Sequence, residues 1–195
     1  VLQGYGENRM GGIIMENKEF AKRLSDKLTE LITAELEKEN AKSDTRPITE
    51  RVKTFEDACD VLGPEHPLVM SWFRFGCDSG PKDDNLNAYL KLRIICAALN
   101  EGWEPNYTRD ELKYSPWFLL FTDEEVANMD NDEVVDRRLL VIADRYKTEY
   151  VGFGFSPRRT PTTAGCSLCL KSAELSAYCG RNFIGIWADY LLIRK

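Results

Sequence analysis

The residues best suited to chemistry are Cys166 and Cys169, in the stretch Cys166-Ser167-Leu168-Cys169. A C-x-x-C pair can bind zinc or cycle between thiol and disulfide. A structural zinc site needs four ligands, however, and no second C-x-x-C or C-x-x-H accompanies this pair. A redox pair normally opens a helix, whereas these cysteines precede the next helical pattern by several residues. Both are therefore read as ordinary cysteines of a fold, and no metal is expected. His66 is the sole histidine and so the only side chain with an unperturbed titration near neutrality. It stands between Glu65 and Pro67 without a recognisable nucleophile motif and is expected on an exposed loop.

Residues 123–136 hold seven acidic side chains and no basic one. Asp130, Asp132 and Asp136 superficially resemble a calcium loop. The glycine and glutamate that such a loop requires are replaced by Val135 and Val141, so the segment reads as a solvated acidic connection with a helical turn begun by Thr122 or Asp123. Gly152-Phe153-Gly154 lacks the third glycine and following helix of a dinucleotide site, and no phosphate-binding P-loop occurs. No catalytic residue and no cofactor is expected, and the chain is read as a non-enzyme.

Two binding readings remain. Phe20, Leu24, Leu28, Leu31, Ile32 and Leu36 recur at three- and four-residue spacings, which places them on one face of an amphipathic helix. That stripe needs burial against a second copy or a partner protein, so it is the expected protein-binding element. The alternative is single-stranded nucleic acid. Arg158 and Arg159 follow a strand pattern containing Tyr150, Phe153 and Phe155, and arginines beside aromatics can hold phosphates and stack bases. Strand alternation puts Phe153 and Phe155 on one face, as a core would also require.

The elements that must position these groups follow from the rest of the chain. Its 195 residues suit one domain with appendages, and 43% hydrophobic with 30% charged residues describes a globular protein. No secretory or membrane-spanning pattern is evident, so a cytoplasmic protein with no membrane partner and reduced cysteines is expected. Residues 1–136 carry 16 basic and 28 acidic side chains, and residues 137–195 carry 10 and 4. The two parts attract one another within the fold on the simplest reading, although a basic binding face would give the same split.

Residues 1–14 read as a non-native leader. The codons for Gly11 and Gly12 before Met15 would resemble a ribosome-binding site translated in frame. Residues 15–40 form the amphipathic helix, residues 41–53 a polar linker, and residues 54–195 a single α+β domain. Within that domain Thr54 and Asp57 have capping-box spacing ahead of a helix closed by Gly63, and residues 64–82 look loop-like. A helix runs from Asp84 to Glu101 with Gly102 as its stop. Four strand patterns follow at 114–122, 138–146, 149–156 and 166–172, the middle two joined by Lys147-Thr148 as a hairpin. Ser172 caps a last helix to about Ile193, whose Phe183, Ile186, Trp187 and Tyr190 cover the sheet. The expected fold is a four-stranded antiparallel meander packed by helices.

Residues 89–105, the segment from Ser172 to Asp189, Thr54 to Cys59 and Tyr114 to Phe118 together resemble small uncharacterised phage- and prophage-associated proteins of gut anaerobes. The resemblance covers roughly residues 54–192 and leaves out the N-terminal helix. It implies a genomic setting and transfers no activity and no site residue. The combined expectation is an accessory protein that acts by protein–protein interaction.

Overall fold

A computed structural model describes residues 22–23, 25–33, 35, 44–76, 84–106, 108, 110–156 and 167–195 of the chain. The chain forms two units that divide between Thr45 and Arg46. Residues 1–14, assigned above to a leader, lie outside the described residues.

The first unit contains α1, helical at residues 22–23, 25–33 and 35. Thr29 and Thr33 each donate a 2.8 Å hydroxyl hydrogen bond to the carbonyl one turn earlier, at Ser25 and Thr29. The threonines thus satisfy their hydroxyls along the helix itself.

The second unit begins with α2 (Ile48–Arg51), a helical turn inside the segment read as a linker. Ile48 and Val52 are buried in the core of this unit. Next comes α3 (Phe55–Leu62) with the capping box intact: Asp57 N donates to Thr54 Oγ1 at 3.1 Å, and Thr54 N to Asp57 Oδ2 at 2.9 Å. Gly63 closes α3 at φ 84°, a conformation that glycine adopts without strain. The expected loop over 64–82 instead contains α4 (Pro67–Ser71), which runs into a π-helical turn (Trp72–Gly76). Pro67 supplies the fixed φ that suits a first helical position, and His66 caps it.

The long helix α5 (Asp84–Asn100) stops where Glu101 and Gly102 take positive φ. It has no single buried stripe, because α3 packs on one side and the last helix on another. Leu92, Ile94, Ile95, Cys96, Ala98 and Leu99 are all buried, whereas Leu86, near the start of the helix, is exposed.

The sheet corrects the expectation of four strands. Among the described residues it has three, β1 (Trp117–Phe121), β2 (Leu140–Val141) and β3 (Gly152–Ser156), in the antiparallel order β1-β3-β2. This is not a meander, since β3 lies between the other two. The pattern at 166–172 yields one bridge, Tyr114 to Leu170, rather than a strand. The backbone there is satisfied by a helix instead. Asn100 Nδ2 donates to Cys169 O at 3.0 Å, and Asn100 Oδ1 accepts from Lys171 N at 3.0 Å. An apolar run buried under α5 therefore looks like a strand in sequence without joining the ladder.

β2 is short because α7 (Asn131–Arg137) takes the residues before it and a turn at Ala143–Arg145 follows. Lys147-Thr148 is not a two-residue hairpin. Leu140 pairs with Phe153, which leaves a longer connection whose Tyr146 reaches across to bridge Arg194. The acidic connection folds as α6 (Asp123–Ala127) and α7, capped by Thr122 and Asp130 respectively. The backbone and hydroxyl of Thr122 hydrogen-bond the Glu125 carboxylate and hold it below the usual carboxylate range.

The C-terminal helix is two helices, α8 (Ala173–Asn182) and α9 (Ile184–Leu191), separated at Phe183. Ser172 caps α8 through a 3.2 Å bond from Leu175 N. One face of the sheet meets these helices: the Phe118 ring stacks on Phe153 with centroids 4.9 Å apart and lies tilted against Trp187 with centroids 5.4 Å apart. The other face is also covered, which the sequence did not suggest. Gly152 and Gly154 lie on it, and Val126 of α6 and Arg137 of α7 pack against them. Glycine here lets the helices approach the backbone. Tyr178 OH donates to Val52 O at 2.7 Å and Asn182 Nδ2 to Lys53 O at 2.8 Å, which fixes the start of the unit against α8. The charge split is partly spent inside the fold: Lys171 pairs with Glu101 at 3.1 Å and Arg194 with Asp84 at 3.6 Å.

Candidate protein-binding surface

Three members of the expected stripe, Leu28, Leu31 and Ile32, belong to the described residues of α1. They are 56%, 62% and 52% exposed. Spacings of three and four residues put them side by side on one face. Phe20, Leu24 and Leu36 lie outside the described residues. The polar face beside them carries Lys22, Arg23, Lys27 and Glu30. Three branched aliphatic side chains clustered in water form a surface that favours burial against another apolar surface, at about 1.5–3 kcal/mol for each one fully covered.

Arg158 and Arg159 lie outside the described residues. The aromatics meant to stack bases beside them do not face solvent. Phe153 and Phe155 are 2% and 4% exposed, locked between Phe118 and the C-terminal helices. Gly180 sits so close to the Phe155 ring that a Cβ there would lie 2.7 Å from it. Tyr150 is partly buried against the same core. These rings are structural, as the alternation along β3 allows.

The residues singled out for chemistry have structural duties. His66 is half-buried, not on an exposed loop, and its Nδ1 accepts a 3.2 Å hydrogen bond from Leu68 N as the cap of α4. Cys169 is buried beneath α5, and Cys96 Sγ contacts Leu168 O at 3.6 Å; Cys166 lies outside the described residues. No group of three or more His, Cys, Asp or Glu side chains converges as metal ligands would among the described residues. Phe121, Glu124, Glu125, Asn128, Met129 and Glu133 line a shallow acidic groove beside the sheet. No helix among the described residues is long and apolar enough to cross a membrane.

Two polar clusters escaped the sequence reading. Lys113 is fully buried with its ammonium 3.3 Å from the Glu111 carboxylate. Tyr146, Asp189, Arg194 and Asp84 form a second cluster at the end of α9, where Asn85 Nδ2 also donates to the carbonyls of Asp189, Tyr190 and Leu192. Asn85 satisfies carbonyls that the helix end leaves without intrahelical donors. Nothing local in sequence links residues so far apart.

Compared with protein-family models, with curated proteins and with solved structures, the chain matches none.

Proposed function

We propose that this chain is a non-enzymatic accessory protein, associated with a phage or prophage, that works by binding protein through the apolar face of α1. The observation that carries the reading is the exposure of Leu28, Leu31 and Ile32 side by side on one helix. An isolated helix of this length is marginal in water, and most helical stability in proteins comes from packing an apolar face. Helix-in-groove and helix-on-helix recognition use anchors at this spacing. The genomic setting rests on the resemblance of residues 89–105 and 172–189. The non-enzymatic part is supported by the capping role of His66 and the burial of Cys169.

The test is cross-linking and affinity capture in the organism that encodes the chain. Wild type is compared with a variant carrying Leu28→Ser, Leu31→Ser and Ile32→Ser. Wild type is expected to retain a defined protein, either another protein or a differently tagged copy of itself, which the variant loses. Equal recoveries from both would defeat the reading.

A further inference from the structure

We propose that the outer edge of β1 takes an extended, basic peptide segment of a partner protein as an added antiparallel strand, a second binding site separate from α1. In the sheet order β1-β3-β2, β1 is paired on one side only among the described residues. The register fixes which of its backbone groups are left over. Leu140 pairs with Phe153, and Ile142 N donates to Val151 O at 2.9 Å, so the N–H and C=O of Phe153 point toward β2. Alternation then turns Gly152, Gly154 and Ser156 toward Phe121, Leu119 and Trp117 of β1. The N–H and C=O groups of Phe118 and Leu120 therefore point away from the sheet.

This edge lacks the devices that usually guard one. Trp117-Phe118-Leu119-Leu120-Phe121 contains no charged residue and no proline, whereas the opposite edge, β2, is protected by being two residues long. Side chains on both faces of β1 stay open. Trp117 and Leu119, on the face of α6 and α7, are 48% and 38% exposed, and Leu120, on the other face, is 36% exposed. An added strand satisfies the backbone of Phe118 and Leu120 and covers these side chains by cross-strand contact. A helix cannot do so, because its own backbone groups are bonded internally.

Charge selects the occupant. Where β1 ends, Phe121 shares a shallow groove of about 370 Å³ with Glu124, Glu125, Asn128, Met129 and Glu133. Residues 123–137, which form α6 and α7, hold seven acidic side chains against Arg137 alone, and Arg137 is taken up by Glu133 at 2.8 Å. A strand running antiparallel to β1 brings its first residues to this groove, where lysine or arginine meets the acids. A second copy of the chain fits worse, because each carries a net charge of -6 and brings another acidic α6–α7 region.

The experiment screens a randomised library of peptides of about ten residues, enough to span β1 and the groove, against the full chain. Recovered sequences are then measured as fluorescent synthetic peptides by anisotropy. They are expected to carry branched or aromatic residues at alternate positions and lysine or arginine at the N-terminal end, and to lose affinity as salt rises. Leu120→Pro tests the site, since an edge tolerates proline where its nitrogen faces outward. With the melting temperature unchanged, it should weaken binding about tenfold or more by removing an outward N–H. Glu124→Lys should weaken binding several-fold and flatten its salt dependence. The same peptides N-methylated at alternate residues, on the side facing β1, should not bind wild type, which tests the backbone pairing even if Leu120→Pro fails to fold.

A library without binders, recovered peptides without an excess of basic residues, or binding unmoved by Leu120→Pro and by N-methylation would overturn the inference. So would a chain that dimerises by itself and loses the dimer with Leu120→Pro, which gives the edge to a second copy. Peptides released instead by Leu28→Ser, Leu31→Ser and Ile32→Ser would belong to α1, removing the β1 site while leaving the α1 reading in place.

Discussion

The hydroxyl of Tyr146 donates a 2.5 Å hydrogen bond to Asp189 Oδ1, joining the turn after β2 to the last helix across 43 residues of sequence. Arg194 Nη2 binds the other oxygen of the same carboxylate at 2.7 Å, and the backbones of Tyr146 and Arg194 form a bridge. Burial, and then the hydrogen bond to the Asp189 carboxylate, push the Tyr146 phenol above its ordinary value.

Tyr146→Phe should cost about 1.5–3 kcal/mol in denaturant unfolding, the usual range for a hydrogen bond to a charged group. The sign of the pH dependence follows from the raised phenol. The unfolded chain releases that proton first, near pH 10, so the stabilisation is full below this value and fades as pH rises toward the folded value. Wild type should lose more stability than Tyr146→Phe on going to strongly alkaline solution. Parallel pH profiles for the two chains would show that the bond does not hold the phenol in its neutral form.

Two glycines in the C-terminal helices should respond to alanine with opposite signs. A Cβ at Gly180 would meet the Phe155 ring at 2.7 and 2.9 Å and Pro116 Cβ at 2.9 Å. Helix propensity favours alanine by about 1 kcal/mol, but overpacking a buried contact typically costs about 1–3 kcal/mol. Gly180→Ala is therefore expected to lower the melting temperature. Gly185, in α9, has nothing within 4 Å of its Cβ position, so Gly185→Ala should raise it. A shift of the same sign at both positions would contradict the close packing of α8 on β3.

The capping box of α3 predicts an acid-side effect. Backbone amides of Lys53 and Thr54 donate to Asp57 at 2.9 Å each and hold its carboxyl below the ordinary value. A lowered folded value gives stabilisation that is full above the unfolded carboxylate range, roughly pH 4, and is lost as pH falls through the folded value. Asp57→Asn should destabilise at neutral pH and converge with wild type as the solution is acidified. Thr54→Ala should cost about 1 kcal/mol, measured by thermal unfolding. An Asp57→Asn deficit that persists unchanged in strong acid would assign the loss to packing rather than charge.

Removing residues 1–45 should leave the melting temperature of the remainder nearly unchanged while abolishing protein capture through α1. The second unit starts at Arg46 and keeps Ile48 and Val52, which its core needs. A truncated chain that is insoluble or melts much earlier would make α1 part of the folding unit.

What the sequence determined by itself was local. The Thr54–Asp57 box, Ser172 ahead of α8, the Gly102 stop of α5 and the spacing of Leu28, Leu31 and Ile32 depend on residues within a turn or two of one another. Short-range hydrogen bonding and backbone preference act at that distance, so residue type and spacing suffice to read them. The partners of each segment were settled only in three dimensions. The run around Leu170 has the composition of a strand because it is buried, yet Asn100, some seventy residues earlier, takes its backbone bonds and leaves the sheet with three strands in the order β1-β3-β2. Leu86 and Leu92 are both leucines of α5, but only Leu92 is covered, because α3 and α9 arrive on sides that periodicity within α5 cannot specify. Burial is a property of what the rest of the chain brings to a surface. An apolar residue states its demand for cover in the sequence, and the tertiary structure alone decides which neighbour meets it.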